Sequence, residues 1–218
     1  MAKQNNNTKQ GFTIIEVVLV LAIAGLIFLM VFVALPALQR SQRDTARRND
    51  MSRVDTSLVQ YQTNHSNTSD NLPVVPSGVN SVSWQGDSQF TNCDNVACAF
   101  VRDYMNSGSA ENDGKANTFE DPDGTPYSMV ITCNWSSNRC DPTGAGISTS
   151  QLAEATAQTG ETGVTIGNQG DGQAYDAHAI YIIPGGRCVG DVVVNSTKRH
   201  FAVLYRLEGA GTYCIDDQ

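Results

Sequence analysis

One carboxylate, Glu16, stands near the start of a long apolar run, and its position suggests an ion pair. The run extends from Gly11 to Leu38, and Glu16 is its one charged residue. An ionised carboxylate in apolar surroundings costs a few kcal/mol unless it reaches water or meets a cation. If the chain is cut after Gly11, the new α-amino group of Phe12 has a pKa of about 8 and is mostly protonated at neutral pH. That cation would lie one helical turn from Glu16 of its own chain, or beside Glu16 of a neighbouring chain.

Two other interpretations of this stretch stay open. Glu16 could lie at the interfacial end of an ordinary membrane anchor, where its carboxylate reaches water. A conventional signal peptide could instead be cut after Ala37, although its apolar region would exceed the usual ~7–15 residues and would contain a glutamate.

The apolar run is long enough to cross a membrane as a helix. Roughly 27 residues from Phe12 span ~40 Å at ~1.5 Å per residue, more than the ~30 Å hydrocarbon core of a bilayer. Gly25 and Pro36 are its weak points, and Pro36 predicts a kink or local melting one turn earlier. Further along, an apolar stripe at helical spacing predicts that the same helix continues to about Asn64 and packs on a sheet. The stripe consists of Met51, Val54, Leu58 and Tyr61.

The residues around Glu16 resemble the signal of a known family. The pattern G-F-T-x-x-E before a long apolar run is similar to the class III signal of type IV pilins and of the related type II secretion pseudopilins. The resemblance covers about Lys9 to Leu38. It implies that a prepilin peptidase cuts between Gly11 and Phe12, that Phe12 is N-methylated, and that the apolar helices pack in a filament core. There Glu16 would neutralise the amino group of Phe12 in an adjacent subunit.

Length and composition allow one long helix and one globular head. The chain has 218 residues, of which 40% are hydrophobic. After the long helix, too few residues remain for a second large domain. We expect a leader at residues 1–11, a long helix at 12–64 with 12–38 in the membrane or filament core, and a head at 65–218. Strands are predicted at 128–133, 177–183, 190–194, 201–207 and 212–215, and short helices at 96–106 and 149–158. The predicted fold class is α+β, a long N-terminal helix packed on a C-terminal antiparallel sheet with disulfides.

The six cysteines all follow the apolar run, and their even number is typical of disulfides in an exported domain. Many disulfide connectivities are open. We predict the pairs that are local in sequence, which are Cys93–Cys98, Cys133–Cys140 and Cys188–Cys214. The last pair resembles the disulfide with which pilins close the C-terminal part of the head. A zinc site is the rival interpretation, but no C-x-x-C spacing occurs and the histidines are distant in sequence.

The charge pattern contains a conflict about orientation. Two lysines precede the apolar run and four arginines follow it, which by itself would keep the C-terminal part inside the cell. We give the cysteines and the leader more weight. The arginines are Arg40, Arg43, Arg47 and Arg48.

The rest of the chain argues against nucleic-acid binding and against catalysis. Residues 55–218 hold 7 basic and 19 acidic side chains, a poor surface for a polyanion. The three histidines are scattered, and we find no catalytic or phosphate-binding motif in the sequence. No cofactor is therefore expected, with one weak exception. DPDGTPY resembles a segment of major pseudopilins in whose head calcium binds, so that Glu120, Asp121 and Asp123 are candidate calcium ligands. A tight turn is the simpler interpretation of the same residues.

The sequence thus favours a structural protein over an enzyme. The leading hypothesis is a type IV pilus subunit, anchored in the cytoplasmic membrane before assembly and part of an extracellular filament afterwards, which serves adhesion and twitching motility. Its partners would be other copies of itself in a helical polymer, prepilin peptidase and the pilus assembly machinery. A type II secretion pseudopilin is the first alternative. A membrane-anchored binding protein that never polymerises is the second.

Overall fold

A computed structural model describes most of the chain. The described residues are 11–65, 81–84, 96–105, 119–132, 134–136, 139–141, 152–166, 178–197, 199–208 and 211–217. The chain divides into two compact units between Gln42 and Arg43.

The N-terminal part of the chain is one long helix, α1 (Ile14–Asn64), of 51 residues. It is continuous through Gly25 and Pro36, the two residues predicted to weaken it. Its most apolar 18-residue stretch is not buried at all, and α1 is long and apolar enough to cross a membrane. A signal sequence near the N-terminus meets the same criteria of length and composition as a membrane anchor. The motif at the start of α1 is therefore needed to interpret its apolar half.

In its described residues, the head combines a short helix with three groups of strands. The helix α2 (Val96–Phe100) continues as a π-helical stretch, Val101–Met105. The strands are β1 (Ser81–Trp84), β2 (Ser128–Thr132), β3 (Asn134–Ser136), β4 (Arg139–Asp141), β5 (Leu152–Thr156), β6 (Thr162–Ile166), β7 (Ala179–Pro184), β8 (Gly186–Val189), β9 (Val192–Asn195), β10 (Phe201–Arg206) and β11 (Thr212–Asp216).

Two sheets and a two-stranded ribbon are formed from these strands. The larger sheet has the order β1-β2-β7-β10-β11, and its pairs are antiparallel except for β2 with β7. The smaller sheet has the order β5-β6-β9-β8 and is antiparallel throughout. Strands β3 and β4 form the ribbon. The predicted fold class, a long helix with C-terminal antiparallel sheets and a disulfide, is confirmed.

The central strands of the larger sheet are buried on both faces. Because side chains alternate along a strand, Ile180 and Ile182 of β7 face the stripe of α1, whereas Tyr181 and Ile183 belong to the core cluster formed with the smaller sheet. Met51, Val54 and Leu58 of α1 have no exposed surface. The predicted stripe is therefore the helix side of the main core, and the larger sheet lies between α1 and the smaller sheet.

One predicted helix is wrong. Residues 149–158 were expected to be helical, but the structure has the strand β5 there. Leu, Ala and Glu favour helices individually, yet pairing with β6 and burial of Leu152 decide the local structure, as tertiary context often does for short segments.

Cys188 and Cys214 form a disulfide that joins the two sheets, because Cys188 lies on β8 and Cys214 on β11. Cys98 is buried and disulfide-bonded, but its predicted partner Cys93 lies outside the described residues. Cys133 also lies outside them, so the pairings Cys93–Cys98 and Cys133–Cys140 stay predictions.

We predict that replacing both Cys188 and Cys214 by serine lowers the free energy of unfolding by ~3 kcal/mol, because the bond closes a loop with a sequence separation of 26 residues. The measurement is urea unfolding of the full-length chain in detergent micelles, followed by circular dichroism. Equal unfolding free energies for the variant and the wild type would contradict a stabilising role.

Candidate functional site

The start of α1 places Glu16 in a capping arrangement. The Thr13 backbone N–H donates to Glu16 Oε2 at 2.9 Å, and the Thr13 hydroxyl donates to the same oxygen at 2.8 Å. Thr13 directly precedes the helix, so its N–H bond to Glu16 is the glutamate half of a capping box. In the uncut chain the nitrogen of Phe12 is an amide without charge, and Glu16 satisfies the helix terminus instead.

The capping box was missed in the sequence analysis, although a signal was present. A threonine followed three residues later by glutamate, directly before an apolar run, indicates a helix start. The motif T-I-I-E at residues 13–16 meets this description. Glu16 thus has a helix-capping role in addition to the predicted role as counter-ion, and an experiment must separate the two.

Around this start the apolar side chains are open to solvent. Phe12 is 90% exposed and Ile14 is 85% exposed, and the large apolar residues from there to Leu38 are exposed as well. A surface of this kind and length is stable only against lipid or other apolar helices. The first unit therefore carries one surface that requires a partner.

The second functional element is a buried ion pair that joins α1 to the head. Arg47 Nε donates to Asp121 Oδ2 at 2.6 Å, and Arg47 Nη2 donates to Asp121 Oδ1 at 2.7 Å. The two side chains are 4% and 0% exposed. A two-pronged guanidinium–carboxylate contact of this kind fixes both distance and orientation.

Further charges complete this group, which we call the Arg47 network: Arg43, Asp44, Arg47, Asp121, Tyr205 and Glu208. Arg47 also contacts Glu208 at 2.8 Å and Asp44 at 3.3 Å. The Tyr205 hydroxyl donates to Asp121 Oδ2 at 2.7 Å. Arg43 Nη2 donates to Glu208 Oε2 at 2.6 Å, and the Glu208 backbone N–H donates to Asp44 Oδ1 at 2.9 Å. Helix, turn and β10 are thereby linked through polar contacts.

The electrostatics of the network follow from burial and hydrogen bonding. Burial acts to raise the pKa of Asp121, but hydrogen bonds from Arg47 and Tyr205 outweigh it and hold that pKa at about 2. For Tyr205, burial and the bond to Asp121 raise the pKa of the phenol. The hydrogen bond from Arg43 lowers the pKa of Glu208. Both carboxylates therefore stay ionised through the physiological range, and the network keeps its charges.

Its position on α1 could have been predicted. Asp44 and Arg47 continue the buried stripe of Met51, Val54 and Leu58 toward the N-terminus at helical spacing. Polar residues on a stripe that is otherwise apolar indicate a buried polar contact. The partner Asp121 lies 74 residues further along the chain, and no local pattern identifies it.

The candidate calcium ligands lie in a tight turn after Phe119. The Gly124 N–H donates to the Asp121 carbonyl at 2.8 Å, and Gly124 has a φ of 89°, a conformation that favours glycine. Asp123 side-chain oxygen accepts from the Thr125 N–H at 2.9 Å. Asp121 uses both oxygens on Arg47, Tyr205 and its own turn. The turn explains these residues without an ion, and Glu120 is exposed.

The structure adds one histidine to this turn. Ligand atoms of Asp121, Asp123 and His178 lie within 4.8 Å of one another. His178 Nδ1 is 3.8 Å from Asp121 Oδ2, and His178 Nε2 is 3.6 Å from Asp123 Oδ2. Because a metal ion here would lie beside the Arg47 guanidinium and compete with it for Asp121, the arrangement is unfavourable for a cation. Calcium binding stays a prediction.

We predict that Arg47→Met destabilises the head by ~3–5 kcal/mol, because it leaves the buried Asp121 without its counter-ion. Arg187→Met is the matched control, since Arg187 pairs with Glu161 at 2.7 Å on the surface, where removal of one partner costs ~0–1 kcal/mol. Urea unfolding of both full-length variants in micelles gives the comparison. Equal losses in the two variants would show that the Arg47 network does not hold α1 on the head.

Comparison with known proteins identifies the N-terminal region. Residues 6–32 match the family described as prokaryotic N-terminal methylation motif. No curated protein and no solved structure matches the chain. The matched stretch contains Gly11, Phe12 and Glu16 and extends into the exposed apolar half of α1. The chain therefore carries the class III signal of type IV pilins and pseudopilins.

Proposed function

We propose that the protein is a structural subunit of a type IV pilus. The methylation motif at residues 6–32 carries this proposal, because it joins a processing site to a helix with an exposed apolar surface. The class III signal implies processing by prepilin peptidase and assembly into a pilus or pseudopilus. Before assembly the apolar half of α1 anchors the chain in the membrane, and afterwards it lies in a filament core. In this form the protein acts in adhesion and twitching motility.

Assembly through α1 gives a polymer rather than a closed oligomer. Each copy presents an apolar helix surface and, after cleavage, a Phe12 amino group with a Glu16 four residues later. If the amino group of one copy meets Glu16 of the next, the same contact repeats at every subunit. Repeated head-to-tail contacts that do not close generate a helical fibre.

The contacts of the head support an orientation with the head outside the cytoplasm. The Cys188–Cys214 disulfide is typical of an oxidising compartment. Arg43 and Arg47, two of the arginines that conflict with this orientation, are paired with Glu208, Asp121 and Asp44. In the folded protein their charges are compensated within the head, and they belong to the same compartment as the disulfide.

We predict that both Glu16→Ala and Glu16→Gln abolish filament growth, while membrane insertion and removal of the leader continue. Glutamine retains the hydrogen bond to Thr13, because it functions in a capping box, but it cannot neutralise an amino group. Filaments sheared from cells are quantified by electron microscopy. N-terminal sequencing with mass spectrometry checks that both variants begin at methylated Phe12.

The two substitutions separate the roles of Glu16. Normal fibres from Glu16→Gln together with none from Glu16→Ala would show that capping is the function of this residue and would contradict the ion pair. Thr13→Val is the control that removes the hydroxyl contact and leaves the charge of Glu16. A wild-type chain that begins at Phe12 but is absent from the fibres would favour a membrane-anchored binding protein that does not polymerise.

A pseudopilin of a type II secretion system is the second candidate. It is favoured by the turn at residues 121–127, whose sequence resembles a pseudopilin segment.

We expect 5 mM calcium, a concentration of about the order at which weak extracellular sites bind, to leave the melting temperature of the full-length protein in micelles unchanged, because Arg47 and Tyr205 already engage Asp121. Asp123→Asn is the matched control. If calcium raised the melting temperature of the wild type but not that of the variant, the result would favour the pseudopilin.

A further inference from the structure

Another carboxylate on α1, Asp55, lies at the edge of the buried stripe and has one buried oxygen without a hydrogen-bond donor among the described residues. It follows Val54, which has no exposed surface, and is itself partly buried. The Asp55 Oδ1 atom is buried, and within the described part of the chain it accepts no hydrogen bond. A buried carboxylate oxygen without a donor is costly when the group is ionised. Asp55 therefore differs from Asp121, whose oxygens are all engaged.

The strand β11, which packs against the core cluster of α1, ends in Asp216, and Asp217 follows it directly. Tyr213 and Ile215 of β11 pack against the core cluster that contains the α1 stripe. Because side chains alternate along a strand, Asp217 continues their face and Asp216 belongs to the opposite one. The negative charges of Asp217 and Asp216 both act on Asp55. Of these two carboxylates, Asp217 is thus the one on the face of β11 that packs toward the α1 stripe.

Both carboxylates at the end of β11 accept backbone hydrogen bonds. Asp216 Oδ2 accepts from the Cys188 N–H at 2.6 Å, and Asp217 Oδ1 accepts from the Phe201 N–H at 3.3 Å. Hydrogen bonds from N–H groups favour the charged form of a carboxylate, and the buried Oδ1 of Asp55 accepts none within the described part of the chain. Proton uptake at that oxygen therefore breaks no hydrogen bond.

Two basic side chains in this region have other contacts. His200 Nδ1 lies 3.1 Å from Asp217 Oδ1. The Arg48 guanidinium lies over the Tyr213 ring, 5.7 Å from its centroid. Burial and the carboxylates of Asp217 and Asp216, rather than either of these side chains, raise the pKa of Asp55.

We propose that Asp55 makes the contact between α1 and β11 pH-sensitive: uptake of a proton by Asp55 tightens the contact, and loss of the proton loosens it. Protonation removes the repulsion by Asp216 and Asp217 and ends the cost of a buried charge. The contact lies within the head and is independent of the proposed assembly function.

The sign of the pH dependence follows from the direction of the shift. Burial, and then the charges of Asp217 and Asp216, raise the pKa of Asp55 above its ordinary value of 3.8. The folded state therefore binds the proton at a higher pH than the unfolded state, and the head gains stability as the pH falls through the raised pKa. Asp121 has the opposite sign, because its pKa is lowered, and its contribution is lost only as the pH falls from 3.8 toward about 2. The gain from Asp55 should thus be visible above pH 4.

The test compares wild type and Asp55→Asn as full-length proteins in micelles between pH 4 and pH 8. Asparagine has the same shape and no charge. We expect the variant to melt about 2–4 °C higher than wild type at pH 7.5, and the difference to shrink toward zero at pH 4. Burial raises the pKa of Asp50 as well. Asp50 therefore contributes to the pH dependence of the melting temperature in both proteins.

The control is Asp191→Asn, the same chemical change at an exposed aspartate, which should leave the melting temperature and its pH slope unchanged. Amide hydrogen exchange at Tyr213 and Ile215, corrected for intrinsic rates, should be slower in Asp55→Asn than in wild type at pH 7.5. A lower melting temperature of Asp55→Asn at pH 7.5, or a pH slope equal to that of wild type, would overturn the proposal.

Discussion

The bidentate contact between Arg47 and Asp121 is the interaction on which the architecture of the head depends. It is buried, and a buried charge is tolerated only with its partner in place. Since Tyr205 binds the same carboxylate, the contact fixes the depth and rotation of α1 against the turn and β10 at once. The apolar stripe supplies most of the favourable burial but little orientation, because apolar contacts are not directional. Polar and apolar residues on one helix face therefore have complementary roles.

Charged residues have different roles at the two ends of α1. At the N-terminus Glu16 accepts hydrogen bonds from Thr13 of its own chain, and in the proposed filament it would have a second role as counter-ion of a Phe12 amino group. Asp44 and Arg47 are already paired in the folded chain. In the proposed filament Glu16 would therefore change partners, whereas Asp44 and Arg47 would keep theirs. This division fits a subunit whose head is complete before assembly and whose stem is not.

Much of the fold could be predicted from local patterns, and the contacts that position it could not. The stripe at Met51, Val54 and Leu58 indicated the packing face of α1, since helical periodicity directly reflects burial. The apolar runs at β7 and β10 likewise indicated buried strands. No local pattern indicated the ion pair between Arg47 and Asp121, because these residues are far apart in the sequence. The strand β5 was missed because its pairing with β6 outweighs the helix propensity of its residues.

The disulfide has a mechanical consequence for any protein of this fold that bears a load. Strands β8 and β11 are edge strands of different sheets, and each has one hydrogen-bonded neighbour strand within its sheet. With Cys188 joined to Cys214, separation of these two edges requires a covalent bond to break rather than hydrogen bonds to yield one after another. Under tension along the chain, other parts of the protein would therefore unfold before β11 could detach.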